Sequence, residues 1–129
     1  MTLYGRDVLL VGPELHQAQS LVYRLTLWGF RCQSACTMND ALDLLSSQPI
    51  DLVLSNTHLP DGTGFRLLRA LAGLPVTVFL CLPVENSCFW LPAIDGGQEC
   101  LGMPALRPSE FASFLEEVAA NIASPGRAN

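Results

Sequence analysis

The chain contains no lysine. Its 129 residues carry seven cationic side chains, all arginine, against twelve carboxylates, for a net charge of −5. The arginines are scattered and form no basic stripe, so nucleic acid, whose phosphates are held by Lys and Arg clusters, is not expected as a direct partner. No apolar run approaches the roughly 20 residues needed to cross a bilayer. The opening Met1-Thr2-Leu3-Tyr4-Gly5-Arg6-Asp7 lacks the charged and apolar regions of a signal peptide. The expected location is the cytoplasm, with no membrane partner. Cysteine is present in an odd number, five, and three of the five fall in expected strands. That pattern points to reduced thiols packed as small hydrophobes. Cys32 and Cys36 lie close in sequence, but no His or second Cys pair stands near enough to complete a zinc site. No metal and no cofactor is therefore expected. A Ser-His-Asp set and a paired acid and base are missing too, which argues against an enzyme. Repeats and low-complexity segments are also absent.

What is present is apolar: 50% of the residues are hydrophobic and 15% charged, enough for one domain with a full core. The domain is expected over residues 1–123, with 124–129 a polar tail or the start of a linker. Short apolar runs alternate with amphipathic stretches, the signature of a parallel sheet wrapped by helices. The first run, Val8-Leu9-Leu10-Val11, closes on Gly12-Pro13. Helical spacing follows in Leu15, Ala18, Leu21, Val22 and Leu25 and stops at Gly29, a natural C-cap. A weaker strand covers 31–35, and Thr37 caps a helix over 39–46 with Ala41, Leu42 and Leu45 inward.

Strand 51–54 is followed by the turn Pro60-Asp61-Gly62 and a helix marked by Phe65, Leu67, Leu68 and Leu71. Residues 76–82 form an apolar run broken only by Thr77, as in a strand buried on both faces. The stretch 83–97 is irregular, and Pro92 makes any helix there short or broken. A fifth strand is expected at 99–101 and a last helix at 108–123. The result is an α/β, flavodoxin-like, doubly wound sheet of five parallel strands in the order 2-1-3-4-5. Ligands in that architecture sit at the carboxyl ends of the strands, where strand order reverses. Gly12, Pro13, Glu14, Asn56, Leu82 and Met103 fall near that rim.

Several elements occur in register with one family. They are Val11, Gly29-Phe30, Asp40-Ala41-Leu42, Asp51-Leu-Val-Leu, Leu59-Pro60-Asp61-Gly62-x-Gly64-Phe65, Leu74-Pro75-Val76, Gly96-Gly97 and Met103-Pro104. Over about residues 7–123 the chain resembles a response-regulator receiver domain of two-component signalling. The resemblance implies an acidic pair at Gly12 and Pro13 and a phosphate-accepting aspartate at Asn56. It further implies a hydroxyl at Leu80 or Cys81, a lysine at Met103 and an aromatic switch residue at Cys100. Each of these positions has lost the group it should carry. An amide is a poor nucleophile and a weak ligand for a hard cation. Without metal or lysine, nothing offsets the charge on a transferring phosphoryl group. The chain reads as a pseudo-receiver, a signalling module independent of phosphorylation that binds a protein partner or a second copy of itself.

Other assignments compete at individual residues. Asn56, Thr57 and His58, with Glu14 and Asp61, could form a residual polar pocket that takes a small ligand or a weakly held cation. A solvated turn, with Glu14 capping a helix and Asp61 stabilising the turn, explains them equally. His58 could sense pH, and Asp61 or His58 could take a non-standard phosphoryl group. A small-ligand-binding flavodoxin-like domain is the alternative of a different class. The aromatic segment Phe89, Trp90 and Leu91, with Cys100, forms a candidate interaction surface, unless the loop turns those side chains into the core. Tyr23, Leu27 and Trp28 on the first helix offer a second surface.

Overall fold

The computed structural model describes residues 5–13, 19–84, 87–100 and 102–122. Strand β1 (Asp7–Val11) is buried from Val8 onward. It runs parallel to β2 (Arg31–Ala35) on one side and β3 (Leu52–Asn56) on the other. Strand β6 (Thr77–Val84) pairs parallel with β3, setting Asn56 opposite Cys81. Two short strands, β4 (His58–Leu59) and β5 (Gly62–Thr63), form a separate hairpin after β3.

Side chains on successive strand residues point to opposite faces, and the core divides accordingly. Val8, Leu10, Leu52, Leu54 and Phe79 join one cluster with helix α1 (Gln19–Leu27) and helix α4 (Pro108–Ile122). Leu9, Val11, Val53 and Val78 join the other, with α2 (Met38–Ser47) and α3 (Gly64–Leu71). The helix ends follow the expected chemistry. Gly29, at φ +86°, takes the left-handed turn after α1, and the next amide, of Phe30, returns to the carbonyl of Leu25 at 2.9 Å. Thr37 caps α2 by accepting from the Asp40 amide at 3.1 Å. Among the described residues no helix is long and apolar enough to cross a membrane.

The last third corrects the sequence reading. Among the described residues the sheet has six strands, closing with β7 (Ser87–Asp95) and β8 (Gln98–Glu99), in the order β2-β1-β3-β6-β7-β8, and the last two joins are antiparallel. The stretch 83–97, expected to be irregular with any helix short or broken, holds β7, which turns straight back along β6. The expected fifth parallel strand shrinks to β8 (Gln98–Glu99) on the sheet edge, and Leu101 lies outside the described residues. The cause is in the side chains. Cys88-Phe89-Trp90-Leu91-Pro92-Ala93-Ile94 has no polar position to face water from a helix, and its aromatic and β-branched members suit a sheet. Pro92 is accommodated because the ladder shifts register there: Val78 pairs with Ile94 and Phe79 with Pro92, leaving Ala93 as the extra residue of a bulge.

The hairpin also joins Cys81 to Cys88 in a disulfide, with Cα atoms 5.9 Å apart, and leaves Cys32, Cys36 and Cys100 as free thiols. The expectation that every cysteine is a free, packed thiol fails for this pair. Only the antiparallel return brings the two within bridging distance.

Candidate functional site

The sheet order reverses about β1 and β3, so the crevice outside their carboxyl ends is where this architecture places a site. Strand β3 ends there on Asn56, only 7% exposed, followed by half-buried Thr57 and exposed His58. Two glycines hold the backbone against Asn56. A Cβ on Gly64 would come within 2.6 Å of the Asn56 carbonyl oxygen and 2.9 Å of Leu80 Cδ2. The Gly64 amide meanwhile donates to the Thr57 carbonyl at 2.9 Å. Gly12, at φ +118°, lies so near that a Cβ there would stand 2.8 Å from Cγ of Asn56. A side chain at position 12 is excluded both by its backbone conformation and by the Asn56 amide.

Asn56, Thr57, His58, Cys81 and Pro83 line a recess of about 50 Å³, far below the roughly 300 Å³ at which small-molecule sites begin. Of the two candidates for the lost hydroxyl, Cys81 lines this recess, tied into its disulfide. Leu80 is fully buried. Pro13 is exposed just after Gly12, and Glu14 lies outside the described residues. Met103 is half-exposed beyond β8, is joined to Pro104 by a trans bond, and does not line the recess.

Asp61 does not line the recess either. Its carboxylate accepts from the amides of Met38 at 2.7 Å and Asn39 at 3.0 Å. With Thr37 on Asp40, this satisfies three of the unpaired N–H groups that open α2. These amide bonds hold the Asp61 carboxyl below the usual aspartate range. A depressed folded value means stability that is present above the ordinary carboxylate range and lost as pH falls through the folded value. Asp61→Asn is therefore expected to lower the melting temperature by a few degrees near neutral pH. That gap should close on acidification below the ordinary aspartate range, as thermal melts of the two proteins across pH would show.

Of the aromatic segment read as either an interaction surface or core, Trp90 goes to the core. Trp90 is 5% exposed, and its indole stacks on Phe111 at 4.5 Å. Phe89 and Leu91 are half-buried along β7. Cys100 is half-buried, and burial pushes its thiol up. What sequence reasoning missed is the contact of Gly12 with Asn56. Its signal was a glycine directly after a fully apolar strand, which often marks a close backbone approach.

No family model matches the chain. A 71-residue stretch, 55% of the chain, is 32% identical to the sensor histidine kinase RcsC of Salmonella typhimurium, and the identity to RcsC of Escherichia coli K12 is the same. The chain spans 8% of the length of these curated relatives. Its structure is similar to the crystal structure of a signal receiver domain of an HD domain-containing protein from Pseudomonas fluorescens Pf-5. The TM-score is 0.54 and the identity 30%, over 60% of this chain and 63% of that one. Strand alternation, the crevice at Asn56 and the structural likeness agree: this chain has a receiver-like α/β fold.

Proposed function

We propose that the chain is a pseudo-receiver: a cytoplasmic signalling module, without catalysis of its own, whose output is independent of aspartyl phosphate. It acts by binding a protein, a second copy or a different chain. The observation that carries this reading is the contact between Gly12 and Asn56. The position that should accept phosphate holds a buried amide, and the position that should hold metal has no room for a side chain. Restoring one group leaves the other missing, and no lysine exists to supply the third. With Trp90 turned inward, α1 carries the two most exposed large apolar side chains among the described residues. Tyr23 and Leu27, each 65% exposed, stand one turn apart on the same face.

Two measurements test the proposal. Incubation with acetyl phosphate and Mg²⁺, followed by intact mass, is expected to show no phosphoryl gain; a stoichiometric gain overturns the phosphate-independent reading. Light scattering on a size-exclusion column over a wide concentration range tests the second copy as partner. A dimer that Tyr23→Ala with Leu27→Ala splits supports α1 as the pairing face, and a dimer that survives the double variant removes α1 from the proposal.

A further inference from the structure

Helices α1 and α4 leave a cavity between them over β7, with a volume of about 380 Å³. That lies within the range of small-molecule sites, roughly 300–1,000 Å³. Its floor is Trp90, Phe111 and Leu115, all buried, and Trp28 contributes a second indole from α1. Above the floor stands Arg24. It is the one charged residue among the described lining residues, it is exposed, and no carboxylate pairs with it among the described residues.

We propose that this cavity binds a small planar aromatic carboxylic acid, its ring on the Trp90–Phe111 floor and its carboxylate on the Arg24 guanidinium. Flat aromatic walls favour a flat aromatic occupant, through offset stacking and edge contacts. A guanidinium at the mouth selects a carboxylate, which it can hold through two parallel N–H bonds. A single cation, with no further positive charge among the described lining residues, matches a monoanion better than a phosphate dianion. Elsewhere the net charge of −5 repels anions, so the preference belongs to this one place. The cavity shares no lining residue with the Asn56 recess. The inference therefore stands or falls separately from the reading of that recess.

The test is a calorimetric titration of the full chain with 1-naphthoate and, as the uncharged control, 1-naphthamide. Both tryptophans of the chain line the cavity, so their emission gives a second readout. Naphthoate is expected to bind and to change the tryptophan emission. Arg24→Gln should weaken naphthoate by roughly tenfold or more, the scale of a charge-assisted pair, while leaving naphthamide unchanged. Ala112→Phe, which fills the cavity from α4, should abolish binding of both at an unchanged or higher melting temperature. The proposal is overturned if naphthoate gives no heat at millimolar concentration, if Arg24→Gln leaves its affinity unaltered, or if Ala112→Phe still binds it normally.

Discussion

Trp90→Ala lowers the free energy of unfolding by about 3–5 kcal/mol, the range for truncating a buried tryptophan. The indole is 5% exposed and stacked on Phe111, which in turn meets Phe79 edge-on with centroids 5.1 Å apart. Removing it empties the junction of β6, β7 and α4. The backbone at this point also ties down the segment before α4: Trp90 and Leu106 exchange two N–H···O hydrogen bonds of 2.8 Å. For a chain of this length the loss corresponds to a fall in melting temperature of roughly 10 °C or more. Phe65→Ala is the matched control. Phe65 is 52% exposed, and its truncation should change stability by about 0.5 kcal/mol or less. Guanidinium melts of the three proteins decide the matter. Equal midpoints for Trp90→Ala and wild type would mean that Trp90 is a surface residue after all.

The second large effect concerns Asn56→Asp, the substitution that restores the nominal phosphate acceptor. It is expected to destabilise the protein without enabling phosphorylation. A carboxylate at this depth would face the Gly12 backbone, Thr57 and the Cys81 disulfide, with exposed His58 the one titratable side chain among the described lining residues. Burial raises the folded pKa of such a carboxyl above its unfolded value, ~3.9. A raised folded value leaves stability intact below the unfolded value. The loss then grows by about 1.4 kcal/mol per pH unit until the folded value is passed. Urea melts of the variant and wild type should coincide near pH 3.5 and separate by about 1–3 kcal/mol at neutrality. Intact mass after acetyl phosphate and Mg²⁺ should show no gain for the variant either. A phosphorylated Asn56→Asp protein would mean that other residues replace the missing acids and lysine. That result would leave the amide as the sole block.

The candidate site was half legible from the residues. That Gly12 and Asn56 share a rim follows from two apolar strands that each end on a polar turn, because parallel strands with crossover helices must bring those ends together. Asp61, by contrast, was read as a turn or pocket residue, while its carboxylate caps a helix that begins 23 residues earlier. Nothing local to Pro60-Asp61-Gly62 names that partner.

The sequence by itself determined the first two-thirds of the architecture. Val8 to Val11, Leu52 to Leu54 and Val78 to Leu82 are short apolar runs set between turn residues, which suits strands covered on both sides. Thr37 and Gly29 announce helix ends by local hydrogen bonding and backbone conformation alone. The tertiary structure decided the rest. A seven-residue apolar run such as Cys88 to Ile94 has no periodicity to separate helix from strand. Its fate depends on whether the edge of β6, whose open N–H and C=O groups must find partners, is free to receive it. Once β7 takes that edge, the direction of the last strands, the Cys81–Cys88 bond, the inward turn of Trp90 and the cavity beneath Arg24 follow together. Each depends on contacts between residues that only the folded chain brings side by side.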